Sequence, residues 1–561
     1  MRPLTSLAVL ATSVFLAACS SAVPSDSAEE GADGTSDSGA TASGSDGPGG
    51  STGASNAGAD GGVLGASKDG GAPPADGGPP PGDGSTSAGV PTLETRTLVP
   101  AHGRESGGKN PSDPTALATY LTKGFGELTI GAGEGHARRV IGGAMPPARG
   151  PNVKRLVSFV HMPDLQIPDD ESPTRTGVAD TASLTAGALR PQDPYLCRMT
   201  NAAVKTINAL HAADPVAFVL LGGDNADSAQ TNEVDWVMDI LGGGKDVECD
   251  SGANDDPTPG PDNDGKDPFR APGLAMPWKW VTGNHDVLVQ GNLVVDASRS
   301  AAALGTFSLF GTRDYANGGA VRTGNFVVAD PRRALLSREA LMAKVAGNGD
   351  GHGISAAEVA RGKAIYTFDV PQTPLRFLIL DTAAETGGAE GILHQADVDA
   401  VVKPALDRAR TDGKWVVLAS HHATDSLSAS GGAFGTTQPD AILPEAWKTF
   451  VGGYPNVVLS MVGHSHAHRV VPIQPSTGHA YWEMMTSSLA DYPHQIRRVE
   501  IFDDDNGFLR IRGTCVDLDV SGDPVAEAGR KRGVVDFTSG YMSDGRGTAL
   551  DRNVELLIAK P

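Results

Sequence analysis

The stretch Trp278-Lys279-Trp280-Val281-Thr282-Gly283-Asn284-His285-Asp286 decides how the chain folds. Its first half, rich in aromatic and β-branched residues, reads as a short buried strand. Its second half is a polar cluster at the strand's carboxyl end, where α/β proteins keep their ligands. The pattern recurs along the chain. Residues 156–160 run into Asp164 and Gln166, and residues 216–221 into Gly223-Asp224 and Asp227. Residues 377–380 end at Asp381, residues 415–419 at His421, and residues 457–462 at Gly463-His464-Ser465-His466. Helical periodicity lies between these runs. Residues 195–212 put Leu196, Met199, Ala203, Ile207 and Leu210 on one face, and residues 394–411 form a second helical stretch interrupted by Pro404. Alternating strands and helices predict an α/β domain. Residues 480–516 predict a β meander of 480–487, 496–502 and 508–515, with a turn at Asp504-Asp505-Asn506-Gly507.

Taken together, the strand ends offer Asp164, Gln166, Asp224, Asp227, Asn284, His285, Asp286, His421, His464 and His466. These are oxygen and nitrogen donors only, a set that suits Mn, Fe, Zn or Mg rather than copper(I) or an iron–sulfur cluster. Two carboxylates, an amide and three imidazoles can hold two ions if one carboxylate bridges. A pair of ions ~3.5–4 Å apart is an arrangement for hydrolysing phosphate esters.

In this order, Asp-x-Gln, Gly-Asp-x-x-Asp, Gly-Asn-His-Asp, His and Gly-His-x-His resemble the motifs of the calcineurin-like metallophosphoesterases, over roughly residues 150–516. Gly223 to Asp227 with Gln230, Asn232 and Glu233 also resembles a secreted bacterial subgroup. The resemblance implies two facing mixed β-sheets flanked by helices, a four-layer α/β/β/α sandwich. It implies a phosphoester hydrolase with two divalent or mixed-valence metal ions, Mn, Fe or Zn, and a bridging hydroxide. Asp224 would bridge the ions. Asp164 and His466 would complete the first, with Gln166 where the family often has His. Asn284, His421 and His464 would hold the second. His285 would protonate the leaving oxygen, with Asp286 orienting its ring. Gln166 either ligates weakly through its carbonyl oxygen or only hydrogen-bonds nearby. Asp227 stands where purple acid phosphatases have a metal-bound Tyr, so their colour and Fe(III)–phenolate chemistry are not expected. His421 is assigned to the metal, with His422 as its substitute if the register is off by one. A phosphorylated small molecule or other phosphoester is the expected substrate, monoester or diester. Two alternatives stand beside this reading: an envelope-anchored binding or structural protein with an impaired fold of this kind, and another metallohydrolase such as a pyrophosphatase or a sulfatase-like enzyme. The absence from this chain of a Cys or Ser in a sulfatase nucleophile motif weighs against the latter.

The N-terminal part is of a different kind. Met1-Arg2 and the apolar residues 4–16 read as an export signal, residues 1–18, too short to span a bilayer as a stable helix. Leu16-Ala17-Ala18-Cys19 resembles the bacterial lipobox, which implies lipid on Cys19 and a membrane-anchored lipoprotein of the cell envelope; Ser20 points to the outer membrane. Nineteen of the chain's 72 glycines lie in residues 31–90, and no aromatic lies between Phe15 and Tyr120. Such a segment cannot offset its ordering entropy, so residues 19–95 are expected to be a disordered tether and residues 96–561 the folded domain. Residues 20–95 hold 11 acids and one Lys, about half of the net charge of −22, and no basic run exists to bind nucleic acid in general.

Residues 242–270, with eight acids, and 290–365 read as insertions that either shape a cleft or decorate the surface. Asp262-Asn263-Asp264-Gly265-Lys266-Asp267 resembles part of a calcium loop but lacks the distant Glu of an EF-hand, so a solvated acidic loop is the plainer expectation. His161 is expected in the core, His468 and His494 on the surface, and Asp381 as a cap. Cys197 and Cys249 are a candidate disulfide pair, which would leave Cys515 odd.

Overall fold

The computed structural model describes residues 90, 92–142, 145–182, 185–253 and 255–561. The export signal, Cys19 and residues 19–89 lie outside them. Thirteen strands build two mixed sheets. The first holds β1 (Ala137–Val140), β2 (Lys154–Met162), β3 (Val219–Leu221), β4 (Trp278–Lys279) and, from the far end of the chain, three more. The second holds β5 (Tyr366–Asp369), β6 (Leu375–Ile379), β7 (Trp415–Ala419), β8 (Val457–Val462), β9 (Arg469–Ile473) and β10 (Tyr481–Met485). The three that complete the first sheet are β11 (Gln495–Asp503), β12 (Phe508–Asp517) and β13 (Val554–Ala559), in the order β1-β13-β12-β11-β2-β3-β4. The second sheet runs β5-β6-β7-β8-β10-β9. β2, β3 and β4 are mutually parallel, and so are β6, β7, β8 and β10. The carboxyl ends of both parallel sets carry the polar clusters.

Period-two alternation assigns each face. On β6, Phe377 and Ile379 join the core between the sheets with Phe159, Val499 and Met484, while Leu378, and Leu380 just past the strand, join an outer core with Val402, Leu406 and Trp447. Phe159 meets Phe377 edge to face at 5.3 Å between centroids. Each fully buried side chain of this size stabilises the fold by ~1.5–3 kcal/mol. Helices Lys403–Thr411 and Pro444–Gly452 cover the outer face of the second sheet. Helices Leu196–Ala213, Thr231–Gly242 and Pro524–Thr538 share the core of the first sheet through Met199, Ile207, Val237 and Ala526. The architecture is the expected pair of facing mixed sheets flanked by helices.

Several expectations are corrected. The meander is split: β10 pairs parallel with β8 in the second sheet, and of the three expected strands only β11 and β12 pair with each other, antiparallel, in the first. Pro404 does not end its helix. A π-helical turn at Val398–Val402 precedes helix Lys403–Thr411, and the wider turn absorbs the missing N–H and the crowded ring. His468 and His494 are buried, at 1% exposure each, rather than on the surface. His468 sits among Arg497, Gln495 and Cys515, and His494 Nδ1 donates to Leu489 O. The fold starts before residue 96: Leu93 is buried, and its N–H donates to Cys515 O at 2.9 Å. Cys197 and Cys249 are disulfide-bonded, and Cys515 is a buried thiol. In the acidic loop, Asp264 and Asp267 accept backbone N–H groups of Thr258, Lys266 and Asn263. The buried Lys266 ammonium lies 3.1 Å from Asp170, 2.7 Å from Glu171 and 3.2 Å from Asp250, so this loop closes on its own cation instead of on solvent.

Candidate metal centre

Five loops leave the strands toward one point. Asp164 and Gln166 follow β2, Asp224 and Asp227 follow β3, Asn284 to Asp286 follow β4, His421 follows β7, and His464 and His466 follow β8. Asp164, Gln166, Asp224, His464 and His466 all have positive φ, from 42° to 76°. Left-handed non-glycine residues cost of order 1–3 kcal/mol each and persist where the surroundings over-determine them. The glycines of the motifs leave room for this convergence. A Cβ on Gly283 would stand 2.1 Å from Asp224 Oδ1, and one on Gly223 2.7 Å from His421 Nδ1.

The side chains converge as a donor set. Asp164, Asp224 and His421 bring ligand atoms within 4.8 Å of one another. Asp224 Oδ2 lies 3.1 Å from His421 Nε2, and Asp164 Oδ1 lies 3.4 Å from His466 Nε2. Both imidazoles are tied at the other nitrogen. His421 Nδ1 donates to Gly222 O at 2.8 Å, and His466 Nδ1 donates to the Asp491 carboxylate. Such ties fix the tautomer and turn the Nε2 lone pair to the centre, as partners of metal-bound histidines do. Asn284 donates to Gly291 O through its amide nitrogen, while its buried Oδ1 has no hydrogen-bond partner. A buried acceptor left open in this way fits a cation. The His464 ring meets His421 edge to face, with centroids 5.1 Å apart. His422 has both ring nitrogens engaged, by Thr382 Oγ1 and Ala389 O at 2.9 Å each, whereas His421 Nε2 has no hydrogen-bond partner.

The electrostatics agree with a cation site. Burial alone would raise the Asp224 carboxyl, but the facing His421 and His285 rings outweigh it and hold it far below the usual range. Burial would depress His421 and His466, yet the facing carboxylates of Asp224 and Asp164 raise them to about 9 and about 10. Carboxylates kept ionised and imidazoles that gather protons can exchange those protons for a cation.

Two sequence assignments change. Asp286 does not orient His285. It is fully buried and accepts backbone N–H groups of Gly283, Asp224, Asn225 and Ala226 at 2.8–3.1 Å, so it pins the β3 loop to the β4 loop. Burial and the nearby Asp224 raise its carboxyl to about 7. The ring of His285 is held instead by Asp227, whose carbonyl accepts from Nδ1 at 2.7 Å and whose carboxylate lies 3.4 Å away. Arg175 pairs with that carboxylate at 2.8 Å. Burial works against protonation of His285, but Asp224 and Asp227 more than reverse it. Its Nε2 lies 4.0 Å from Asp224 Oδ2. Gln166 is engaged elsewhere: its Oε1 accepts from Arg190 at 2.6 Å, and its amide nitrogen faces Asp224 Oδ2 at 3.4 Å.

Asp381 takes the cap role, accepting Ala364 and Ala383 N–H groups, and His161 is a core histidine bonded to Thr486. Arg190, Asp491 and Arg175 escaped the sequence reading. Asp491 ends a polar run after β10 and carried a weak strand-end signal; the buried arginines carried none.

No family model and no curated protein matches the chain. Among solved structures it is similar to a dimetal phosphatase from Danio rerio, at 13% identity and a TM-score of 0.34, covering 65% of this chain and all of that one. It is also similar to the sulfate thiohydrolase SoxB of Thermus thermophilus, at 13% identity and a TM-score of 0.28, covering 69% of this chain and 60% of that one. A third is a purple acid phosphatase from yellow lupin seeds, at 13% identity and a TM-score of 0.26, covering 69% of this chain and 55% of that one.

Proposed function

We propose that the protein is a metal-dependent phosphoester hydrolase that uses two divalent ions. The observation that carries this reading is the buried donor set: Asp164 and Asp224 facing imidazoles whose far nitrogens are tied, beside the partnerless Asn284 Oδ1. Asp164, Asp224 and His466 would hold one ion; Asp224, Asn284, His421 and His464 would hold the other. The donors favour Mn, Fe or Zn. Bound there, the ions supply charge that acidifies water and polarises a phosphoryl oxygen. The chain supplies the rest. Asp286 keeps Asp224 and Asn284 in register through the backbone. His285, protonated at Nε2 and held at Nδ1 by Asp227, gives a proton to the departing oxygen. The substrate is a phosphoester, and the loops around the centre choose between monoester and diester.

The lipobox at Cys19 supports an outer-membrane lipoprotein, with the domain held off the bilayer by its long N-terminal segment. Mass spectrometry of the mature N-terminus tests that part; an unlipidated terminus downstream of Cys19 counts against it. The rival reading, a binding protein with an impaired site, is favoured by the engagement of Gln166 with Arg190. One preparation decides between them. Its metal content is measured, together with hydrolysis of nitrophenyl phosphate and bis-nitrophenyl phosphate. Bound metal with turnover is expected. Neither, after Mn, Fe or Zn is supplied, leaves the binding protein.

A further inference from the structure

We infer that Gln166 is not a metal ligand: Arg190 holds its amide so that the first metal position has only Asp164, Asp224 and His466 as protein donors, which makes the two positions unequal in affinity. The inference rests on the two-ion reading above and deepens it.

The geometry of a single buried guanidinium carries it. Arg190 is 3% exposed in its side chain and faces three ways. Its Nη2 donates to Gln166 Oε1 at 2.6 Å, and its Nε donates to Asp491 Oδ1 at 2.8 Å. Its Nη1 lies 3.8 Å from Asp193 and 4.0 Å from Asp227. Guanidinium nitrogens only donate, so the atom of Gln166 that meets Arg190 must be the carbonyl oxygen. The NH2 group then points the other way, at Asp224 Oδ2, the carboxylate proposed to bridge the ions. Turning the amide over to offer oxygen to a cation would set two donors against each other in a buried place, at the cost of the Arg190 bond. Gln166 has little freedom to escape: it is 2% exposed, with φ at 42° on a loop whose N–H donates to Asp224 O at 2.9 Å. The same guanidinium steadies Asp491, which holds His466. Arg190 is therefore a positioning residue. It withdraws one donor from the first position and firms up another, while the second position keeps Asp224, Asn284, His421 and His464.

The test is Mn2+ titration of the metal-free protein by calorimetry, on wild type, Gln166→Met and Gln166→Glu. Wild type is expected to take two ions in two resolved steps. Gln166→Met removes the amide at similar length, and both steps should stay within about threefold of wild type. Gln166→Glu offers one oxygen to Arg190 and the other to the ion, so it should tighten the weaker step alone, by ~10–100-fold. Loss of tenfold or more in one step of Gln166→Met, with Gln166→Glu no tighter than wild type, makes Gln166 a ligand and overturns the inference, leaving the two-ion reading intact. Two equal steps in wild type also overturn it. Absence of any Mn2+ binding to wild type overturns both together.

Discussion

His285 separates binding from chemistry at the scale of one side chain. An alkoxide leaving group needs a proton, and a nitrophenolate does not. His285→Ala is expected to keep its metal, slow alkyl phosphoesters by roughly 10²–10⁴-fold and slow nitrophenyl substrates much less. Asp227→Asn should show the same selectivity in milder form, because the carboxylate beside Nδ1 is lost while the carbonyl at 2.7 Å stays. Asp286→Asn should behave differently. An amide cannot accept four backbone N–H groups as a carboxylate does, so the two loops loosen, metal is lost and both substrates slow alike. Metal stoichiometry and both rates on each variant check this, and equal rate losses in a metal-replete His285→Ala remove the acid role. The place of Gly-Asn-His-Asp among the converging loops was legible, but its internal wiring was not. Residues adjacent on a tight turn point apart, so Asp286 reaches back beneath the loops while the partner of His285 comes from a position 58 residues away. Sequence adjacency suggested a contact that the turn forbids. Arg190 had no sequence signal at all, since a buried arginine in a loop looks like an exposed one until the loop is folded.

At the scale of the element, strand ends were the legible part. Buried parallel strands must be continuous apolar runs, and a run ending in Asp, Asn or His marks where the backbone leaves the core. Sheet membership was not legible, because local pattern marks β10 and β11 only as strands and long-range pairing sends them to different sheets. One joint at that level makes a pH prediction. Asp214, just past helix Leu196–Ala213, receives Arg155 of β2 at 2.5 and 2.7 Å and also Arg498 of β11. Hydrogen bonds from Arg155, then from Arg498, outweigh burial and hold its carboxyl below the usual aspartate range, down at about 2. The folded pKa is depressed, so the stability it contributes is complete above about 4 and is lost as pH falls through about 2. Asp214→Asn should be less stable than wild type at neutral pH, and the gap should narrow between about pH 4 and 2. Urea unfolding of both proteins across that range checks it; a gap independent of pH would mean that the carboxylate's charge is not what joins the helix end to the sheet.

At the scale of the whole molecule, two clamps hold parts that the core alone does not. The Cys197–Cys249 bond ties helix Leu196–Ala213 to the acidic insertion across 52 residues. The chain-entropy model gives about 4 kcal/mol for such a loop. Replacing both cysteines by Ala should therefore lower unfolding stability by ~2–4 kcal/mol, read as a denaturant midpoint that no longer responds to reductant. The second clamp is the centre itself. Asp164, Asp224 and Asn284 come from the first sheet, His421, His464 and His466 from the second, so a cation bound among them bolts the two sheets at one edge. Without it, two buried carboxylates and the imidazoles opposite must hold that edge by their own protons. A ligand that binds only the folded state stabilises it by about 2.7 kcal/mol at a hundredfold excess over Kd. At about 2.1 cal/mol/K of unfolding entropy per residue, a fold of roughly 470 residues should then melt ~2–3 °C higher with metal than after chelation. Asp224→Ala should abolish the difference, because it removes the carboxylate proposed to bridge the two ions. If chelated and metal-replete wild type melt together while metal is shown to be bound, the ion sits on one sheet only. The donors of the other sheet would then serve the substrate and not the fold.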